Sequence, residues 1–315
     1  MPGPVICNQV DPCLTELLAS HPSNPKVIER LDRLTPWDIP PETEILVTRL
    51  YDSWSGAPQS GRDLPGLRWI QTYSAGVEGY PRWLTQDRLV SCGRGLASVQ
   101  ISEYVMAAIM RVEKDFEGVR VRAASDWINR PMGRLAGRSL GLLGYGSIGR
   151  AIARRALAFD MNVQAYRRGP WREADADIKH CQSPEALIAG CDHLVLALPL
   201  TDETRGLVGD TLLSRAKIGL HLINISRGAV LDQQALIKAL DARFLSCATL
   251  DVTVPEPLPE NSPLLSRQDI FITPHISYAG GRGEMEMFGA RLFNNLGAYL
   301  DGRHLEEQVD MSRGY

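Results

Sequence analysis

The stretch Ser139-Leu140-Gly141-Leu142-Leu143-Gly144-Tyr145-Gly146-Ser147-Ile148-Gly149 decides how this chain is read. Its first five residues form a short apolar run, which reads as a buried strand. Arg150 to Phe159 read as a helix with Ile148, Ile152, Ala156 and Phe159 on one face. The glycines therefore stand at a strand-to-helix turn, the context in which G-x-G-x-x-G signifies dinucleotide binding. Gly144 permits the tight turn, Gly146 lets the backbone approach a pyrophosphate, and Gly149 lets helix and strand pack closely. Free N–H groups at the helix start face the phosphates, so the loop Gly144, Tyr145, Gly146, Ser147, Ile148, Gly149 is the candidate cofactor cradle.

Asn162 to Tyr166 read as the next strand. An NAD-binding chain usually places an acid just past it, to accept hydrogen bonds from the adenosine ribose. Here Arg167 and Arg168 occupy that place, and a guanidinium pairs well with a 2′-phosphate. The reading favours NADP(H), with NAD(H) possible. The competing reading is a pair of solvated arginines at a strand end.

Further strands are expected at His193 to Leu198, Leu220 to Ile225, Ala248 to Val252 and Ile270 to Thr273. Between them lie helices at Pro184 to Ala189, with Ser183 as N-cap, and at Gln233 to Leu240, with Asp232 as cap. Such alternation predicts a parallel sheet covered on both faces. Val5-Ile6, Ile45 to Val47 and Trp69-Ile70 read as strands of a separate unit, again with helices between. Gln100 to Val112 reads as a long helix with Ile101, Val105, Ile109 and Val112 on one face, and Glu284 to Leu300 as a last helix returning to the first unit. The fold class is α/β: two Rossmann-like or flavodoxin-like doubly wound parallel-sheet domains with an active-site cleft between them. The expected division is 1–98 with 285–315 as a discontinuous substrate domain, and 99–284 as the dinucleotide-binding domain.

Composition narrows the function. The chain has 315 residues and a net charge of -3, with no basic or acidic block, so neither a nucleic acid nor a membrane surface is an expected partner. No run of about eighteen apolar residues marks a transmembrane helix, and the N-terminus lacks the pattern of a signal peptide. Six cysteines without zinc spacing read as reduced thiols of a cytoplasmic protein with no metal.

Polar residues follow the expected strands in order. Leu198-Pro199-Leu200-Thr201 with Thr204 comes first, then Asn224-Ile225-Ser226-Arg227-Gly228, then Leu250-Asp251-Val252 with Glu256-Pro257, and last Thr273-Pro274-His275. In the first unit, Ser74-Ala75-Gly76-Val77 is a small loop whose N–H groups suit a carboxylate. With the glycine loop, these pieces resemble the D-isomer-specific 2-hydroxyacid dehydrogenase family over nearly the whole chain. The absent acid and the ending Gln308 to Tyr315 look most like its glyoxylate/hydroxypyruvate reductase A subgroup. The resemblance implies reduction of a small 2-keto acid, with Arg227, Glu256 and His275 catalytic. Arg227 supplies a cation and His275 a proton. Glu256 accepts from the other ring nitrogen and favours the imidazolium. Ala75, Gly76 and Val77, with Arg227 and His275, hold the substrate. Leu198, Pro199, Thr204, Ile225, Ser226, Arg227 and Asp251 join the cofactor-binding set, Asp251 either at the nicotinamide or as a loop cap. A homodimer is also implied, with Trp127 either reaching a partner's active site or packing internally. The remaining histidines, His21, His180, His193, His221 and His304, read as structural.

Two alternatives stay open. One keeps the chemistry and changes the substrate to a bulkier 2-keto acid, with Arg49, Trp54 and Tyr73 shaping the pocket. The other is a dinucleotide-sensing, corepressor-like binding protein, which retention of Arg227, Glu256 and His275 does not exclude. Formate oxidation fits poorly because Glu256 is present. Phosphoglycerate oxidation fits poorly because no regulatory domain follows the last helix.

Overall fold

Each apolar run singled out above becomes a parallel strand. The computed structural model describes residues 3–172, 175, 177–280 and 283–315. The chain divides into two units, Met1–Leu96 with Arg282–Tyr315, and Ala97–Gly281.

The first unit runs β1 (Val5–Asn8), α1 (Pro12–Ala19), β2 (Lys26–Glu29), β3 (Ile45–Thr48), β4 (Trp69–Thr72), α2 (Arg82–Thr85) and β5 (Leu89–Ser91). All pairings are parallel, in the order β2-β1-β3-β4-β5. This is the flavodoxin-like order, whose switch point lies between β1 and β3. α1 starts where sequence rules place it: Asp11 caps the Cys13 N–H, and Pro12 stands at the first position. The expected helices between strands are only partly present. No α-helix joins β2 to β3 or β3 to β4; a single 3-10 turn at Asp52–Gly56 lies in the second connection. Pro36, Pro40 and Pro41 in one segment, and Pro58 and Pro65 in the other, remove the donors that a helix needs.

The second unit runs α3 (Ser98–Lys114), β6 (Ser139–Leu143), α4 (Ser147–Ala158), β7 (Asn162–Tyr166), β8 (Lys179–His180), α5 (Pro184–Ile188), β9 (His193–Leu196), α6 (Asp210–Leu213), β10 (Leu220–Asn224), α7 (Gln233–Asp241), β11 (Leu245–Leu250) and β12 (Ile270–Ile272). Its seven parallel strands are ordered β12-β11-β10-β9-β6-β7-β8, a doubly wound sheet that reverses direction beside β6. Ser183 and Asp232 cap α5 and α7 with their side chains. One core expectation fails. Phe159 is 43% exposed, because α4 ends at Ala158 and Asp160 turns the chain at φ 57°. Met161 fills the core instead.

The last helix, α8 (Glu284–Leu300), belongs to the first unit. Phe288, Leu292 and Leu296 join Ile6, Leu14, Leu18 and Trp69 in one buried cluster. A Cβ on Gly289 would stand 2.7 Å from Leu17 Cδ2, so the helix lies close against α1. Among the described residues no helix is long and apolar enough to cross a membrane. All six cysteines are free, and burial pushes the Cys7 and Cys191 thiols up to about 12, which makes them poor nucleophiles.

A polar chain crosses the amino-terminal end of the second sheet. His193 Nε2 lies 3.2 Å from Glu113 Oε1, His193 Nδ1 lies 3.1 Å from His221 Nδ1, and His221 Nε2 lies 2.9 Å from Thr249 Oγ1. Glu113 is also paired with Arg138 at 2.9 Å, so its carboxylate is the acceptor toward His193. A neutral imidazole has one donor and one acceptor. The proton order is therefore fixed: Thr249 donates to His221, His221 to His193, and His193 to Glu113. Burial pushes His221 well below the usual histidine range; it also lowers His193, against the opposing pull of Glu113. Both rings fold neutral, so the unfolded chain binds more protons below its own pKa near 6.5. Stability is full above that pH and falls as pH drops through it. Thermal melts from pH 8 to pH 5 should lose up to about 2 kcal/mol per ring by pH 5, and His221→Gln should flatten that slope.

Candidate active site

The glycine loop shows three different constraints. Gly144 has φ 102°, and a Cβ there would stand 2.4 Å from the Ala197 carbonyl oxygen. A Cβ on Gly149 would stand 2.8 Å from the Gly144 oxygen. These two glycines serve the turn and the packing of α4 on the sheet. A Cβ on Gly146 would meet nothing within 4 Å. Gly146 caps α4 without a side-chain hydrogen bond, so the helix start keeps uncapped donors and open room in front of them. That is the shape a pyrophosphate requires.

Beyond β7, the two arginines part company. Arg168 is ion-paired with Glu203. Arg167 lies 5.9 Å from the Trp171 ring centroid, and its Nη1 is buried with no hydrogen-bond partner among the described residues. Trp171 in turn stacks on His180, with centroids 3.7 Å apart and planes 5° from parallel. Arg150, which sequence reasoning passed over, also carries a buried, unpartnered Nη1 and lies 5.8 Å from the Tyr145 ring. Two orphaned guanidinium nitrogens beside the glycine loop fit the phosphates of a dinucleotide better than they fit an empty surface.

At the ends of β9 and β10 the side chains shape their own loops. Thr204 Oγ1 donates to the Pro199 oxygen at 2.7 Å and accepts from Thr201 N at 2.8 Å, tying the segment from Leu198 to Thr204. Asn224 Oδ1 accepts from Ser226 N and Oγ, and its Nδ2 donates to the Arg227 oxygen at 3.2 Å. A Cβ on Gly228 would stand 2.0 Å from the Thr253 oxygen. The turn bearing Ile225, Ser226 and Arg227 is thus gripped from both sides. Arg227 Nη1 donates to the Ser226 oxygen at 2.8 Å.

His275 follows β12 with φ 53°, a left-handed conformation that is strained for a side chain of its size. Asp251, 1% exposed, holds it there. Its Oδ1 accepts from Thr273 Oγ1 at 2.6 Å and from Ile276 N at 2.9 Å, and its Oδ2 accepts from Ser277 N at 2.9 Å. The Asp251 backbone oxygen accepts from His275 N at 2.9 Å. Since Thr273 gives its proton to Asp251, Tyr104 must donate to Thr273 Oγ1, at 2.7 Å. His275 Nδ1 lies 2.9 Å from Glu256 Oε2, while Glu256 Oε1 accepts from Thr253 N at 3.0 Å. The imidazole is thereby oriented, with Nε2 as its outward nitrogen.

In the first unit, the loop after β4 is held by Ser74, whose Oγ accepts from Leu50 N at 3.0 Å. The N–H groups of Ala75, Gly76 and Val77 donate to no acceptor among the described residues. Trp127 is 83% exposed, with Phe116 at 67% and Ile128 at 58% nearby in sequence. Internal packing, one of its two expected roles, is absent.

Comparison with known proteins agrees with this geometry. The family profile described as "D-isomer specific 2-hydroxyacid dehydrogenase, NAD binding domain" matches residues 104–277, and the chain belongs to that family. A "Glyoxylate/hydroxypyruvate reductase B" of Pectobacterium atrosepticum is 37% identical over 65% of each chain. A protein of the same name from Erwinia tasmaniensis is 34% identical over 77% of this chain and 78% of its own. Across the first relatives matched, the chain spans 65%, 49% and 58% of their lengths. Among solved structures, a D-isomer specific 2-hydroxyacid dehydrogenase family protein from Aeromonas salmonicida is 27% identical with a TM-score of 0.79, covering 98% of this chain and 99% of that one.

The grip of Asp251 on the His275 loop can be tested directly. Asp251→Asn replaces one acceptor by a donor, so the amide protons of Ile276 and Ser277 should exchange at least about tenfold faster. Unchanged protection, measured by hydrogen exchange, would remove Asp251 as the anchor.

Proposed function

We propose that this chain is an NADPH-dependent reductase of small 2-keto acids, with glyoxylate and hydroxypyruvate the first substrates to try. The observation that carries the reading is the His275–Glu256 pair, clasped by Asp251 at the carboxyl end of the same parallel sheet that bears Arg227. Glu256 fixes the ring so that Nε2 faces outward and delivers a proton to the carbonyl oxygen as it becomes an alkoxide. Arg227 draws negative charge onto that oxygen and the substrate carboxylate. The unused N–H groups of Ala75, Gly76 and Val77 take the carboxylate. NADPH supplies the hydride. Gly144 to Gly149 receive its pyrophosphate, the loop segments around Leu198, Pro199, Thr204, Ile225 and Ser226 bound its nicotinamide half, and Arg167 takes the 2′-phosphate with Arg150 close by. Arg168, already engaged by Glu203, is the weaker candidate. The first unit then acts as substrate domain and the second as dinucleotide domain. A second copy of the chain covers the exposed stretch around Trp127, forming a homodimer.

The deciding experiment is the initial rate of NADPH oxidation, with NADH in parallel, across glyoxylate, hydroxypyruvate, pyruvate and phenylpyruvate. Turnover fastest with NADPH and the two small polar acids is the expected result. Fast turnover with phenylpyruvate alone would replace the substrate. NADPH binding without turnover of any acid would favour a dinucleotide sensor. His275→Ala should lower kcat by about 10²–10⁴-fold while NADPH affinity, followed by tryptophan fluorescence, stays within a few-fold. Equal loss of both would make the residue structural. Arg167→Asp should weaken NADPH binding at least about tenfold and leave NADH nearly untouched; equal effects would remove the 2′-phosphate assignment.

A further inference from the structure

We infer that Gln233 is a positioning residue for the His275–Glu256 pair: its carboxamide clamps the backbone of Val254 and so fixes the loop that carries Glu256. Its effect on rate rests on the reductase reading. The clamp itself lies wholly within the second unit.

The loop needs holding because its own backbone cannot do so. Its centre reads Val254-Pro255-Glu256-Pro257-Leu258-Pro259, and each proline removes a donor. Among the described residues, no N–H from Val252 to Asn261 donates to a backbone carbonyl. The Thr253 N–H turns to Glu256 Oε1 at 3.0 Å, and Thr253 Oγ1 donates to the Pro255 oxygen at 2.9 Å. Both bonds stay inside the segment. Packing does not close the gap either. A cavity of about 260 Å³ lies between α7 and the loop, lined by Gln233, Ile237, Val254, Pro255, Leu258 and Leu264 among others.

Gln233 supplies the missing tie. Its Nε2 donates to the Val254 carbonyl oxygen, and its Oε1 accepts from the Val254 N–H at 3.4 Å. A peptide N–H only donates and its carbonyl only accepts, so the pairing sets which way the carboxamide faces. Among the described residues, His275 is the one other group outside Val252 to Asn261 that hydrogen-bonds to the segment. The loop is thus held at two points, and the imidazole is one of them. Without Gln233, the ring would have to hold the carboxylate that orients it.

The root of the clamp is firm. Gln233 is the first residue of α7, whose cap, Asp232, accepts from the N–H groups of Gln234 and Ala235 at 2.8 and 3.1 Å. The Asp232 N–H donates to the Val208 oxygen at 3.0 Å. At the other end of this short stretch, Gly228 lies against the Thr253 carbonyl. Gly228 and Gln233 therefore meet consecutive residues of the loop, Thr253 and Val254. Together they tie the segment that bears Arg227 to the one that bears Glu256.

The test uses Gln233→Met, which keeps the length of the side chain and removes both hydrogen bonds. Gln234→Met, at an exposed neighbour, is the control. Hydrogen exchange reads the clamp without turnover. In Gln233→Met the amide protons of Val254 and Thr253 should exchange at least about fivefold faster, the Thr253 proton reporting on Glu256 Oε1 itself. Gln234→Met should change neither. With NADPH saturating, kcat for the best 2-keto acid should fall about 5–20-fold in Gln233→Met, while the Kd for NADPH moves less than about twofold. Placed on a Glu256→Ala background, the same substitution should cost less than about twofold, because a residue that acts through Glu256 then has nothing to position. Equal losses in both backgrounds, or unchanged exchange at Val254 and Thr253, overturn the proposal and leave the reductase reading intact. If no 2-keto acid is reduced, yet both amides exchange faster, the reductase reading falls and the clamp on Glu256 stands.

Discussion

One buried carboxylate, Asp251, sets the geometry of the second unit's polar end. It accepts three hydrogen bonds from the segment after β12 and its backbone accepts a fourth, from His275 itself. A histidine at φ 53° does not stay there unaided. Everything asked of its ring depends on that grip: the approach of Nδ1 to Glu256, and the outward direction of Nε2. Tyr104 extends the hold to α3 through the hydroxyl of Thr273. The pull of one acid thus reaches from the sheet to a helix that precedes it by more than a hundred residues.

The first sheet uses different means for a similar end. There, the Tyr51 hydroxyl donates to the Gln9 carbonyl and the Trp54 indole to that of Arg49, Ser74 accepts from the Leu50 N–H, and the Tyr73 hydroxyl donates to the Glu284 carboxylate. The outcome is a braced loop with unused N–H groups, whereas the second sheet presents an imidazole paired with a carboxylate. The two ends differ in what they hold: one a loop whose backbone N–H groups are unused among the described residues, the other an imidazole kept in a fixed direction.

How much of this was legible follows from how far each interaction reaches. The glycine turn, Arg227, Glu256 and His275 stand just after apolar runs, so strand periodicity alone placed them at carboxyl ends. Asp232 and Ser183 cap helices within three residues of themselves and were equally readable. Tyr104 was not, because its partner lies 169 residues away. Nor was the His193–His221 chain, whose links join α3 and three strands. β2 and β5 escaped notice for another reason: an edge strand with no fully buried residue and a strand of three residues leave little hydrophobic signal. The Pro-rich connections of the first unit misled because parallel strands suggest helices between them, while proline forbids these particular ones.

The three glycines of the nucleotide turn are under unequal constraints. Gly144 and Gly149 are required by the protein's own backbone atoms. Gly146 faces open space, so only something that visits from outside forbids a side chain there. Selection acting on the fold alone would preserve the outer two and let the middle one drift. A lineage that kept only the architecture would be free to lose that single residue, and one that still answers to a ligand would not.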